Sequence, residues 1–291
     1  MNKLQTLILD GKKVAEKILS DVSNEINLLK SRNKRIPGLA VILIGNNLAS
    51  HTYVKNKEKA CKKIGLYSEI HCFNSEVSQK EVINLINSLN KNEKIDGILV
   101  QFPLPPHISL ESIFENLEPK KDVDGLHPYN LGKLAAGQKL LVPCTPKAII
   151  EILNYYSINI TGLHTIVIGR SNLVGKPLSL LLLENNATVT VVHSKSKNIE
   201  NITRTGDILI CAIGKPNLVT QNWVKPGAII IDVGINKILI NNEAKIVGDV
   251  DFKSVSSVCQ AITPVPGGVG PVTVAMLLAN TLEAYKLRGK A

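Results

Sequence analysis

Tyr53 and Lys57 stand four residues apart in a helical pattern, so they share one helix face. An amine in such a place is a candidate acid/base. The spacing alone equally describes a solvated lysine beside a half-buried tyrosine, among the surface lysines Lys55, Lys59, Lys62 and Lys63. Asp122 and Asp124 lie in Lys121-Asp-Val-Asp-Gly125, either an Asp-rich turn or a pair of working carboxylates. A calcium loop is disfavoured, because the remaining ligand positions are missing. Gly267-Gly-Val-Gly270, flanked by Pro266 and Pro271, is either a bare turn or a loop that lets backbone approach a flat ligand.

Thr165-Ile-Val-Ile-Gly-Arg-Ser-Asn-Leu-Val-Gly-Lys-Pro177 reads as a strand, a tight turn and a helix start, either a phosphate loop or an ordinary βα turn. Free N–H groups and the macrodipole at a helix N-terminus favour an anion there, and a Rossmann unit places its pyrophosphate at this point. Of the usual three glycines Gly169 is present, Ser171 and Val174 replace the others, and Gly175 follows. The next strand sharpens the reading. NAD-specific sites carry Asp or Glu about 20 residues on, to hold the ribose 2′-hydroxyl. This chain has Val192-His193-Ser194-Lys195 instead, with no carboxylate to repel a 2′-phosphate. Arg170 in the first turn can pair with that phosphate. NADP is therefore favoured over NAD.

The elements that must position these groups alternate between strand-length apolar runs and helical patterns. A helix starting by Val14 is followed by strands at Leu39–Ile44, Tyr67–Phe73 and Ile95–Gln101. Helices cover about Ser50 to Ile64 and a stretch opened by the capping box Ser78-x-x-Glu81. This β-α-β-α-β order argues for a parallel sheet covered by helices, with ligands beyond the carboxyl ends of the strands, where Gln101 lies. The turn-rich stretch from Pro119 to Pro146 reads as a connector, with Thr145 as the cap of the next helix and Pro146 at its first position. A second α/β series follows, with strands at His164–Gly169, Ala187–Val192, Asp207–Ile213 and Ala228–Asp232, and a last helix from about Pro271 to Leu287.

Composition sets the outer bounds. With 291 residues, 44% hydrophobic and 20% charged, the chain fits one large domain or two ordinary ones with a sizeable core. Aromatics at 4% leave that core to Ile, Leu and Val. The formal charge of +10 reads as a lysine-rich surface or as attraction to acidic small molecules; no basic block interleaved with aromatics suggests nucleic acid. Apolar runs stop far short of the ~20 residues that span a bilayer. No secretory leader pattern is present, so the cytoplasm is expected. Five scattered cysteines without a C-x-x-C, and six histidines without an H-x-x-x-H, point to neither disulfides nor a metal site.

Taken together, these stretches resemble one family: the bifunctional methylenetetrahydrofolate dehydrogenase/methenyltetrahydrofolate cyclohydrolases of the FolD type. The likeness runs from Asp10-Gly11-Lys12 to the last helix. It rests on Ser50-x-x-Tyr53-Val-x-x-Lys57, Val100-Gln101-x-Pro-Leu-Pro105, Lys121-Asp-Val-Asp-Gly125 and Pro143-Cys-Thr-Pro146. Gly169-Arg-Ser-x-x-Val-Gly-x-Pro177 and Pro264-Val-Pro-Gly-Gly-Val-Gly-Pro-x-Thr273 complete it. The resemblance implies a three-layer α/β folate domain with a parallel sheet (residues 1–143 and 272–291), a Rossmann-type NADP domain (144–271) and an active site in the cleft between them. It implies Lys57 as the central catalytic lysine, Tyr53 stacking on the folate, Gln101 tuning the lysine and Asp124 binding the pterin. Val100, Pro103, Leu104, Pro266, Gly267 and Gly268 would line the folate. Arg170 and Ser194 would contact the 2′-phosphate, and Thr145, Gly169, Ser171, Val174, Gly175, His193 and Ile235 the rest of the nucleotide. Tetrahydrofolate derivatives as substrates and a homodimer are implied as well. A monofunctional dehydrogenase is the alternative, and it would require lost hydrolase residues, of which none is seen.

Overall fold

The computed structural model describes residues 6–240 and 243–289; the side chains of 48–50, 52, 53 and 240 fall outside that description. The chain divides into two compact units, Glu16–Cys144 with Val274–Ala291, and Met1–Ala15 with Thr145–Thr273. They are called here the lysine unit and the phosphate-loop unit.

The lysine unit is built on a three-stranded parallel sheet, β2 (Gly38–Ile44), β3 (Tyr67–Phe73) and β4 (Gly97–Val100), in the order β3-β2-β4. All seven residues of β2 are buried, as expected of a central strand covered on both faces. The crossovers are α2 (Leu48–Ile64) and α3 (Gln79–Lys91); α1 (Gly11–Ser31), which begins in the other unit, α4 (Leu110–Asn116), α5 (Pro128–Ala135) and α10 (Val269–Arg288), shared likewise, complete the helices. The capping box of α3 forms as its sequence predicts, Ser78 and Glu81 each binding the other's backbone N–H. Alternate residues of the sheet and one face of α3 meet in a core of Ile42, Ile44, Val82, Ile86, Ile98, Val100 and Ile113.

The phosphate-loop unit holds a six-stranded, all-parallel sheet in the order β1-β11-β8-β7-β5-β6. Its strands are β1 (Leu7–Ile8), β5 (His164–Ile168), β6 (Thr188–Val192), β7 (Ile208–Cys211), β8 (Ile229–Asp232) and β11 (Ala261–Ile262). The helices are α6 (Cys144–Tyr155), α7 (Gly175–Glu184), α8 (Ile199–Thr203) and α9 (Phe252–Val255), and β9 (Asn236–Ile240) and β10 (Glu243–Val247) form a separate antiparallel pair. Residues of β1 group with this unit because the strand pairs in parallel with β11, Leu7 opposite Ala261.

Two local expectations change. The helix expected from the Thr145 cap already starts at Cys144, whose N–H donates to Asp124 O at 3.3 Å and so has a partner without a hydroxyl cap. The stretch from Pro119 to Pro146 is not only a connector: it contains α5, capped by His127, whose ring Nδ1 accepts from Tyr129 N at 2.9 Å. Histidine is outside the usual cap residues, which hid this helix from the pattern. Among the described residues no helix is long and apolar enough to cross a membrane, and no three His, Cys, Asp or Glu side chains gather as a metal site.

Candidate active site and nucleotide loop

In the lysine unit, Lys57 rises from α2 and Gln101 follows the last residue of β4, its N–H held by Ile42 O at 2.9 Å. Lys57 Nζ donates to Gln101 Oε1 at 2.7 Å. Gln101 Nε2 donates to Phe102 O at 2.9 Å, which fixes the amide with its oxygen toward the lysine. Burial lowers the Lys57 pKa, and the charge of Asp124 opposes that shift. Asp124 is moved upward, again by burial first, against the pull of Lys57 and a hydrogen bond from the Cys144 thiol. Lysine and carboxylate thus sit where their ionised forms are costly and each keeps the other charged. This is the arrangement expected of an amine that changes protonation during a reaction.

The turn that carries Asp124 is fixed on both sides. Lys121 Nζ donates to Leu89 O and Asn92 O at 2.8 and 2.9 Å, capping the end of α3, and its own burial pushes its pKa down to about 8. Asp122 accepts from His127 N at 2.7 Å and Asn130 Nδ2 at 2.9 Å, and burial pushes it up to about 7. Gly125 has φ +74°, and a Cβ there would lie 2.5 Å from Pro143 N. Only glycine lets the 142–144 segment come so close. From α10, Asn280 Nδ2 donates to Val123 O and Val142 O at 2.9 and 2.8 Å, and Cys144 Sγ donates to Val123 O at 3.2 Å. Asn280 and Cys144 went unassigned in the sequence reading. A polar residue in an otherwise apolar helix face and the cysteine inside Pro143-Cys-Thr-Pro146 were the signals for them.

Of the sequence-predicted folate residues, the structure brings Lys57, Gln101 and Asp124 together. Val100 is buried at the end of β4; Leu104 is half-buried and Pro103 exposed in the segment after it. A narrow pocket beside them is lined by Ile98, Val100, Phe102, Asp122, Asp124 and Leu126. The side chain of Tyr53 lies outside the described residues. Pro266, Gly267 and Gly268 belong to the phosphate-loop unit. There Gly268 packs on the start of α1: a Cβ on Gly11 would meet Gly268 O at 1.8 Å.

In the phosphate-loop unit, β5 and β6 run side by side with Ile168 opposite Val192, so Gly169-Arg170 and His193-Ser194 leave the sheet as neighbours. Gly169 has φ +126°, and a Cβ would stand 2.2 Å from Ala212 O. Gly175 opens α7 with its own Cβ position 2.2 Å from Gly169 O, so turn and helix start are in direct contact. Ser171 Oγ accepts from Val174 N at 3.2 Å, and no side chain caps α7. Arg170, Ser171 and Ser194 are exposed, and Val174 is half-buried. His193 is used locally, its Nδ1 accepting from Lys195 N at 3.2 Å. Ile235 is 50% exposed beyond β8. Thr145 Oγ1 accepts from Thr273 Oγ1 at 3.4 Å. A glycine cradle at an uncapped helix start, with a guanidinium and two hydroxyls beside it and no carboxylate on the neighbouring strand end, fits a dinucleotide carrying an extra phosphate.

Parallel sheets, a strand–turn–helix anion loop and a half-buried, depressed lysine define the class: a two-unit α/β enzyme with a nucleotide-binding domain. Comparison with known proteins narrows it. The catalytic-domain profile of tetrahydrofolate dehydrogenase/cyclohydrolase matches residues 9–124, and the NAD(P)-binding-domain profile of the same family matches residues 143–289. The bifunctional protein FolD of Nitratiruptor sp. is 51% identical over 98% of this chain and 99% of its own. The crystal structure of the bifunctional FolD enzyme of Campylobacter jejuni superposes with a TM-score of 0.93 at 45% identity, covering 97% of this chain and 99% of that one. The Trypanosoma brucei FolD, solved with NADP and an inhibitor, superposes at 0.94 with 39% identity over 98% and 99% of the two chains. The chain belongs to the tetrahydrofolate dehydrogenase/cyclohydrolase family.

Proposed function

We propose that this chain oxidises 5,10-methylenetetrahydrofolate to 5,10-methenyltetrahydrofolate with NADP and hydrolyses that product to 10-formyltetrahydrofolate. The observation that carries the reading is the Lys57–Gln101 pair at 2.7 Å beside Asp124, inside a family of dehydrogenase/cyclohydrolases. The lysine unit is read as the folate-binding part and the phosphate-loop unit as the NADP-binding part.

Bound NADP supplies the hydride acceptor. Loss of hydride from the one-carbon bridge is driven by the nitrogen lone pairs and leaves a delocalised cation, so no protein base is required and the chain's part is to hold its ligands in place. Asp124 accepts hydrogen bonds from the donor edge of the pterin, and Tyr53 stacks on the ring. Arg170 and Ser194 hold the 2′-phosphate, and the start of α7 the pyrophosphate. Hydrolysis differs. Water adds to the cationic carbon and loses one proton. As the second leaves the hydroxyl to form the carbonyl, one carbon–nitrogen bond breaks, and the released nitrogen takes that bonding pair and a proton, so that one proton is released overall. Lys57 takes the proton of that water as a neutral amine; burial and the cationic substrate both favour the neutral form. Gln101 holds the amine toward the reacting carbon. No hydrolytic position is missing, which favours two activities over a dehydrogenase alone. Family resemblance also supports a cytoplasmic homodimer, which light scattering on the purified chain would check.

The test is an ultraviolet assay of the purified chain. Methylenetetrahydrofolate with NADP should give NADPH and then 10-formyltetrahydrofolate, and methenyltetrahydrofolate alone should be hydrolysed. NADPH formation without hydrolysis of added methenyltetrahydrofolate would leave only the monofunctional reading, and preference for NAD would remove the cofactor assignment.

A further inference from the structure

The amino end of the three-stranded sheet carries charge that the reaction does not use. Asp96, immediately before β4, is fully buried. Its Oδ2 accepts from Arg35 Nη1 at 2.7 Å and Gly38 N at 3.0 Å, and its Oδ1 from Arg35 Nη2 at 2.8 Å and Arg288 Nη1 at 2.9 Å. One carboxylate thus fixes two guanidiniums, Arg35 in a bidentate pair. Arg288, the last residue of α10, reaches away from its own helix: its Nη1 also donates to Ile95 O at 2.9 Å and Glu93 O at 3.3 Å. The Arg35 guanidinium lies 4.9 Å from the centre of the Tyr285 ring, a second hold on it.

A cavity of about 510 Å³ lies beside them, with Leu29, Lys34, Arg35, Tyr285, Lys286 and Arg288 in its wall. That is within the roughly 300–1,000 Å³ of small-molecule sites. All six residues belong to the lysine unit. Four are cations, and two carboxylates touch them: Asp96, and Glu25, whose Oε2 accepts from Lys286 Nζ at 2.6 Å. Asp96 first and Glu93 more weakly hold Arg35 charged. Behind the wall stands a fifth cation, Lys121, pushed down to about 8 by burial and then by the charges of Arg288 and Arg35. Helix carboxyl ends do not absorb the excess. The end of α3 is capped by Lys121 itself, the last turn of α1 carries Lys30, and the end of α10 offsets about half a charge. Among the described residues, Lys34 Nζ, Arg35 Nε and the Nε and Nη2 of Arg288 have no protein partner.

The geometry points to this cavity as a binding site for a small organic phosphate, its dianionic head at Lys34 and Arg288 and its organic part against Leu29 and Tyr285. A phosphate ester brings about −1.5 to −2 charges and three strong acceptor oxygens, which several unpaired N–H donors and an excess of cations require; a carboxylate brings one charge. The cavity is larger than a lone ion fills, and Leu29 and the Tyr285 ring supply its apolar wall. The site is separate from the reacting groups. Asp96 precedes β4 and Gln101 follows it, so the two lie at opposite ends of one strand.

Phenyl phosphate is the probe, titrated by calorimetry into the full-length chain with excess NADP present to fill the nucleotide loop. Saturable binding is expected, with benzoate, the same ring on a single-charged carboxylate, at least about fivefold weaker. Lys34→Gln and Arg288→Gln should each weaken phenyl phosphate by about three- to tenfold, as loss of a partly exposed charge-assisted contact does. Lys80→Gln, at the other end of α3, makes the same change in net charge and should leave the affinity within about twofold. Circular dichroism checks each fold. Lys34 is exposed and holds no other residue, so Lys34→Gln decides the matter should Arg288→Gln fail to fold without its hold on Asp96. Absence of saturable binding to the wild type, or benzoate binding equally well, would overturn the assignment. So would an unchanged affinity in Lys34→Gln, or an equal loss in Lys80→Gln, which would reduce the attraction to overall charge.

Discussion

At the carboxyl end of the three-stranded sheet the working groups are half-buried and titratable; at that of the six-stranded sheet they are exposed, and either permanently charged or neutral. Lys57 and Asp124 are both displaced by burial toward their uncharged forms. Arg170, Ser171 and Ser194 lie in the open. The carboxylates make the same contrast. Asp124 faces the charge of Lys57, whereas Asp249 accepts from Ile213 N, Gly214 N, Lys215 N and Asn236 Nδ2. A proton-handling site needs groups near the balance between two states. A phosphate site needs only fixed donors, and a carboxylate near it is tolerable only when its charge is already occupied.

That contrast can be broken at several points. The largest effect is expected at Asp124: Asp124→Ala should weaken folate binding roughly 10- to 100-fold, since hydrogen bonds to a charged group are worth about 1.5–3 kcal/mol. NADP affinity should not move, and calorimetry with each ligand shows it. Arg170→Ala should do the reverse, raising KM for NADP by about tenfold and that for NAD much less, which would erase the preference between them. Equal effects on NAD and NADP would remove Arg170 from the 2′-phosphate.

Smaller effects concern protons. Gln101→Glu places a carboxylate beside Lys57 and favours the ammonium. The rising limb of the hydrolysis rate against pH should then move to higher pH, by about one unit or more. An unmoved profile would show that Gln101 does not tune the lysine. Asp122 acts through stability. Its folded pKa of about 7 lies above the ordinary 3.8, so the folded chain binds its proton more tightly than the unfolded chain. Stability from this group is complete below about pH 4 and is lost as the pH rises through 7, with a slope of at most about 1.4 kcal/mol per unit. Urea unfolding of Asp122→Asn across that range should lack this slope.

Much of this was legible in the residues. The alternation of apolar runs with helical patterns placed the strands β2 to β8 within a residue or a few, most plainly β2, β4, β7 and β8, which are buried throughout and so read as apolar runs. Lys57, Gln101 and Asp124 were legible as motif positions, and the anion loop as a strand, a glycine turn and a helix start. Three kinds of feature were not. The two-residue strands β1 and β11 are too short for any period, and they exist only because β11 joins β1 to β8. The β9–β10 pair carries no apolar alternation against a core; Leu239 is 75% exposed. Asn280, Asp232 and Asp249 act through backbone partners far away in sequence, which no local pattern records. Spacing also left Lys57 open between solvent and site, and only its Gln101 partner and burial decide that.

The central claim is that hydrolysis depends on the Lys57 amine while oxidation depends on placement. Lys57→Met keeps most of the side-chain volume and deletes the amine, so both rates measured on one folded sample, with circular dichroism as the control, test it most directly. Cyclohydrolase turnover should fall by about 10²–10⁴-fold, the usual worth of general acid/base help. Dehydrogenase turnover should fall less, and methenyltetrahydrofolate should accumulate from methylenetetrahydrofolate and NADP. Equal loss of both rates, or no loss of either, would contradict the account.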